Sequence, residues 1–107
     1  MKTILVVDDQ RSFREVVCKQ LHLAGFETVQ AENGLEAITL FDDYQPDLIL
    51  LDIDMPEMDG FEVCRIVRQK SNVPVLFLSG MSDTEHKERG FDLDATDYIT
   101  KDVDRKE

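Results

Sequence analysis

Apolar positions in this chain follow two rhythms that alternate from the first residues onward. Thr3–Val7 is a short unbroken run of β-branched and aliphatic residues, which predicts a strand covered on both faces. Phe13, Val16, Val17, Leu21 and Ala24 then recur at helical spacing, with Gly25 where a C-terminal cap is wanted. Ser12 and Glu15 fit a capping box at the start of that helix. Glu27–Ala31 reads as a second strand. Asn33 then caps a helix carrying Leu35, Ala37, Ile38 and Phe41, which ends before Pro46.

Residues 48–51 form a third strand with no polar face at all. A turn containing Pro56 leads to a helix with Phe61, Val63, Cys64 and Val67, capped by Asp59 and ending near Lys70, whose cation suits the helix dipole. Residues 75–78 make a fourth buried strand and residues 98–100 a short fifth. Between them Ser82 and Glu85 have capping-box spacing, but Gly90 and the polar run His86, Lys87, Glu88, Arg89 predict only a weak helix. Strands and helices thus alternate, with every crossover long enough for a helix. The pattern predicts one α/β domain over residues 1–107, a five-stranded parallel sheet with helices on both faces. A final helix is missing from it, so the natural polypeptide is expected to continue past Glu107 as a longer protein.

Composition narrows the class. Hydrophobic residues at 42% and charged residues at 33% exclude a disordered chain. No apolar run approaches the roughly 20 residues that span a bilayer. The N-terminal apolar run stops at Asp8 and Asp9, too early for a secretory signal, so a cytoplasmic location is expected. Cys18 and Cys64 both fall on apolar helix faces and read as buried, reduced thiols rather than a disulfide. A formal charge of −11 argues against nucleic-acid binding by this domain and suits a bound cation.

The chemistry lies where strands end. Asp8 and Asp9 follow the first strand and Asp52 the third. In an open parallel sheet ligands bind beyond the carboxyl ends of strands, where the strand order reverses. With the order 2-1-3-4-5, strands one and three are neighbours there and the three acids share a pocket. Unit charges a few ångströms apart repel by about 4 kcal/mol at an effective dielectric near 20. Such a group needs protons or a cation, and hard carboxylate oxygens suit Mg2+. Ser79 after strand four and Lys101 after strand five add a hydroxyl and an ammonium at the same edge, a set fit for phosphoryl chemistry. Taken alone, Asp8 and Asp9 would suit capping of the first helix equally well, Ser79 an ordinary loop and Tyr98 plain core packing. His22 and His86 lie on helical stretches and read as solvated. Met55 and Met58 read as packing for Pro56.

These residues resemble the receiver domains of two-component signalling. The matching segments are Ile4 to Asp9, Pro46 to Gly60 with its Asp-x-x-Met-Pro-x-Met-Asp-Gly run, Pro74 to Ser79, and Asp97 to Lys101. The resemblance implies the flavodoxin-like fold, whose 2-1-3-4-5 order is known for chemotaxis receivers. It implies that Asp52 is the phosphoacceptor. It also implies Mg2+ held by Asp9 directly, by Asp8 through water, by Asp52 and by the main-chain carbonyl of Asp54. Ser79 would bind a phosphoryl oxygen, Lys101 would pair with Asp52 or its phosphate, and Tyr98 would be the switch aromatic. A sensor histidine kinase or phosphotransfer protein would be the donor, and an output domain in cis or a protein target the receiver of the signal. Dimerisation through the fourth helix, fifth strand and fifth helix is common in the family, so a homodimer is one expectation.

The chain departs from the family where Asp102 follows Lys101 in place of the usual cis-linked proline, which predicts a trans peptide. Gly80 replaces a small alanine, and Asp94 stands where a glycine usually ends the fourth helix. Two other classes compete. A haloacid-dehalogenase-type phosphohydrolase would use Asp52 and Asp54 as its Asp-x-Asp pair, but that motif normally follows the first strand. A flavodoxin-like cofactor protein would need a hydroxyl-rich first loop where this chain offers two acids.

Overall fold

The computed structural model describes residues 2–79 together with the strand at residues 97–100. Five parallel strands, β1 (Thr3–Val7), β2 (Glu27–Ala31), β3 (Leu48–Asp52), β4 (Val75–Ser79) and β5 (Asp97–Thr100), lie in the order β2-β1-β3-β4-β5. This is the expected order. β3 and β4 each extend one residue beyond their expected ends, so Asp52 and Ser79 are the last residues of their strands rather than the first after them. The expected fourth helix with Ser82, Glu85 and Gly90, together with His86, the Lys101–Asp102 peptide and the charged tail, lies outside the described residues.

The unbroken apolar runs conceal a period of two. Leu5, Val7, Ile49, Leu51, Val75 and Phe77 turn to one face, where they pack with Ala37, Phe41, Phe61, Val63, Cys64 and Val67. Ile4, Val6, Leu50 and Leu78 turn to the other and meet Cys18, Phe13, Val17 and Leu21. Such strands suit a sheet covered on both sides, each buried aliphatic side chain contributing about 1.5–3 kcal/mol. Phe61 and Phe77 meet edge to face with ring centroids 5.0 Å apart, joining helix to sheet at the centre of the larger core.

Three helices follow the first three strands among the described residues: α1 (Arg11–Leu23), α2 (Gly34–Tyr44) and α3 (Gly60–Arg68). On α1 the buried stripe runs through Phe13, Val17, Cys18 and Leu21, while Val16, expected on that face, is 57% exposed. At about 100° per residue Val16 lies on the far side of Phe13 from the stripe's centre. Leu35 is 67% exposed on α2 for the same reason, the buried face there being Gly34, Ala37 and Phe41. The expected Ser12–Glu15 capping box is absent. Gln10 is the N-cap, and Glu15 instead accepts a hydrogen bond from Arg11 Nε at 2.8 Å.

The other helix ends follow the sequence. Asn33 Oδ1 accepts from the Glu36 amide at 2.8 Å, and Asp59 Oδ1 from the Glu62 amide at 3.0 Å. After α1, Gly25 at φ 97° lets its own amide reach His22 O and the Phe26 amide reach Leu21 O, a Schellman closure. α3 stops at Arg68, and Lys70 turns away to pair with Asp42 Oδ1 at 2.8 Å rather than serving its own helix end. Cys18 and Cys64 are buried thiols not joined in a disulfide, as expected. His22 is exposed yet shares a 2.9 Å hydrogen bond with Thr28 Oγ1. No helix among the described residues is long and apolar enough to cross a membrane.

The loop from β3 to α3 is held tightly. The Gly60 amide donates to Ile53 O at 3.0 Å, Met58 N to Pro56 O at 2.8 Å, and Glu57 takes a left-handed φ of 69°. A Cβ on Gly60 would run into the Asp52 carbonyl oxygen and lie 2.9 Å from Ile53 Cα. A Cβ on Gly34 would meet the Met58 side chain at 2.8 Å, so Met58 ties this loop to the start of α2.

Two stability outcomes follow. Asn33→Ala removes a helix cap and should lower unfolding free energy by about 1 kcal/mol, read as a lower urea midpoint at unchanged slope. Gly60→Ala forces backbone apart at the end of β3 and should cost at least 1–3 kcal/mol, roughly the overpacking range, in the same titration.

Candidate functional site

Burying a carboxylate is costly unless something compensates its charge. Two such groups nonetheless sit at the carboxyl edge of the sheet. Asp8, immediately after β1, and Asp52, the last residue of β3, are both essentially inaccessible. The pairing of β1 with β3 brings them together, since Val7 lies opposite Leu51 and each acid is the next residue along its strand. Asp9 stands exposed beside them. One carboxylate oxygen from each of Asp8, Asp9 and Asp52 lies within 4.8 Å of the others, the only such acidic, histidine or cysteine group among the described residues.

Local hydrogen bonds fix these side chains. The Asp8 amide extends the sheet by donating to Ala31 O at 3.1 Å. Its Oδ1 accepts from the Gln10 amide at 2.8 Å, and its main-chain carbonyl accepts from Arg14 Nη1 at 2.8 Å. Asp8 therefore organises the turn into α1 without capping the helix. Asp52 Oδ1 accepts from the Asp54 amide at 3.3 Å, which draws the following loop over the acid.

The donor set fits a hard divalent cation. Three carboxylates supply oxygen ligands, two from a dry wall and one from the solvent side, where waters can complete a shell. Such an ion would offset the mutual repulsion of the acids and attract a phosphoryl group. The Asp54 side chain is exposed and lies outside the three-acid group, unlike the buried Asp52. Ser79 ends β4 one residue beyond Leu78, the register partner of Asp52. Tyr98 of β5 lies opposite Phe77, and Thr100 opposite Ser79. Lys101 and the side chains of Ser79 and Tyr98 lie outside the described residues.

Two residues that shape the site escaped the sequence reading. Gly60 allows α3 to start against the Asp52 carbonyl, a role hidden because a glycine after a cap residue has no single meaning. Arg14 reaches the Asp8 carbonyl from α1. Its half-buried place among Phe13, Val17 and Cys18 was the available signal. Burial raises the pKa of the Cys18 thiol above its ordinary value, outweighing the downward pull of a Thr28 hydrogen bond and of the Arg14 charge. Cys18 is thus a poor nucleophile at neutral pH.

Residues 4–107 match the family model of the response regulator receiver domain. The chain is 40% identical over 106 residues to a protein of Cyanophora paradoxa described as "Probable transcriptional regulator ycf27", covering 99% of this chain and 44% of that protein. It is 38% identical over 110 residues to the "DNA-binding dual master transcriptional regulator RpaA" of Synechocystis sp., covering 100% of this chain and 46% of the relative. The chain therefore spans about half the length of these curated relatives. Among solved structures, the chemotaxis protein CheY4 of Vibrio cholerae superposes with a TM-score of 0.89 at 35% identity, covering 94% of this chain and 86% of that one. A match over nearly every residue, relatives of this identity and a shared fold show that the chain belongs to the response regulator receiver domains, the signalling modules of two-component systems.

Proposed function

We propose that this domain is a phosphorylation switch in which Asp52 takes a phosphoryl group from the phosphohistidine of a sensor kinase or phosphotransfer protein. The observation that carries the reading is the convergence of Asp8, Asp9 and Asp52 within 4.8 Å at the β1–β3 edge. An oxygen of Asp52 forms the new P–O bond as the P–N bond of the donor breaks, and the electron pair stays with the departing imidazole. Asp8 and Asp9, with Asp52 and the Asp54 carbonyl, would hold Mg2+. When bound, that ion supplies positive charge against the transferring group.

The remaining roles belong to this chain's own side chains. Asp52 is held by its β3 position and by the Asp54 amide, so its carboxylate is oriented before the donor arrives. The Ser79 hydroxyl donates to a phosphoryl oxygen and the Lys101 ammonium pairs with its charge. Movement of Ser79 toward the phosphate frees the space into which Tyr98 turns. Phosphorylation adds charge and strong acceptor oxygens, which is what draws these groups inward. The output is a DNA-binding domain in cis, a reading supported by the two relatives described as transcriptional regulators, each about twice the length of this chain. The domain acts as a switch, not a turnover enzyme, and works in the cytoplasm, with pairing to a second copy as one means of transmission.

Beryllofluoride or acetyl phosphate added with Mg2+ should shift amide resonances around residues 52–54 and 75–79 of the wild-type chain. Asp52→Asn should abolish those shifts while leaving the fold intact by circular dichroism. An unaltered response in Asp52→Asn would overturn the assignment of the phosphoacceptor.

A further inference from the structure

We infer that Arg14 is a positioning residue for the metal site, a clamp that fixes the Asp8–Asp9 turn from outside the pocket; the inference rests on the Mg2+ reading above. Arg14 uses two faces of its guanidinium at once. Nη1 donates to the Asp8 main-chain carbonyl at 2.8 Å, and Nε donates to Gln30 Oε1 at 3.0 Å. Gln30 belongs to β2, whose ladder places it opposite Val6, two residues before Asp8. The side chain therefore braces the turn after β1 against its neighbouring strand.

The brace matters because of what the turn carries. Asp8 is pinned at its amide by Ala31 O, at its carboxylate by the Gln10 amide and at its carbonyl by Arg14. Asp9 is exposed and depends on the same peptide segment for its direction. Fixing the carbonyl of Asp8 fixes the peptide plane that leads into Asp9. A planar, forked guanidinium serves a carbonyl on one element and an amide oxygen on another in fixed directions; a lysine ammonium keeps the charge, but its rotatable donors on a flexible stem fix neither direction.

Charge and geometry predict opposite signs here, which makes the inference testable. A cation close to three acids disfavours a bound Mg2+, so a purely electrostatic role would give tighter binding when the charge is removed. A positioning role gives weaker binding even when the charge is kept. Mg2+ titration of the full chain, followed by calorimetry or amide shifts, should show Arg14→Lys weakening affinity on the order of tenfold, the usual scale for outer partners of metal ligands. Gln30→Ala, which leaves Arg14 and its charge in place, should weaken it by a smaller factor. Arg11→Ala removes a cation from the same helical turn, its side chain being 82% exposed, and should leave the affinity within about twofold.

Without metal, the Gln10 amide should exchange with solvent several-fold faster in Arg14→Lys than in wild type, at a temperature well below unfolding of either. Equal Mg2+ affinity and equal Gln10 exchange in wild type and Arg14→Lys would overturn the clamp alone. Tighter binding in Arg14→Gln with unchanged binding in Arg14→Lys would replace it with a charge effect. A wild-type chain that takes up no Mg2+ at millimolar concentration would overturn the metal reading, and with it the role given to Arg14.

Discussion

Repulsion among three carboxylates is the interaction around which this fold is arranged. At 4.8 Å, two unit charges oppose each other by about 3–4 kcal/mol at an effective dielectric near 20. That is a large part of the roughly 5–15 kcal/mol that holds a small domain folded. The opposing force is apolar. β1 and β3 are buried on both faces and lie side by side at the centre of the sheet, so their pairing cannot relax to spread the acids apart without opening both cores. The sheet thus holds the acids at a repulsive distance, a strain that a cation among them would relieve.

The hydrogen bonds around the acids then convert closeness into direction. The two buried acids are each tied to an amide two residues on, Asp8 to Gln10 and Asp52 to Asp54, so each of these carboxylates starts its own turn. These bonds fix one oxygen of each side chain and so orient the carboxylate at the end of its strand. Larger elements supply the outer support: α3 abuts the Asp52 carbonyl through Gly60, and α1 reaches the Asp8 carbonyl through Arg14. Rigidity here comes from backbone contacts to secondary structure, the arrangement that holds a coordination site to small tolerances.

Much of this was legible in the sequence because strand-end acids have few alternatives. Residues 4–7 and 48–51 could only be buried strands, and once adjacent they bring Asp8, Asp9 and Asp52 together. Asn33 and Asp59 declared their helix starts as cap residues ahead of an apolar helical pattern, and each accepts from the amide three residues on. What failed was local. Ser12 and Glu15 have the right spacing for a cap, but the chain leaves β1 through a turn already organised by Asp8, so the helix begins at Arg11. Val16 and Leu35 sit one helical step outside the buried stripe, an angle that composition does not reveal without knowing the stripe's centre. Arg14 and Gly60 act through main-chain atoms, and a contact with a carbonyl leaves no mark in the identity of the residue contacted.

The two-faced strands have a consequence for how the chain finds its alignment. In a sheet with one wet face, a slip of one residue exposes an apolar row and is rejected at once. Here a slipped β3 would still bury Leu and Ile on both sides, so hydrophobicity scarcely discriminates between registers. Rejection must come from the ends: displacement by one position would turn Asp52 from the face it shares with Leu48 and Leu50 to the opposite one and leave its charge against the apolar residues of α2 and α3. The same acid that burdens the finished fold therefore proofreads its assembly.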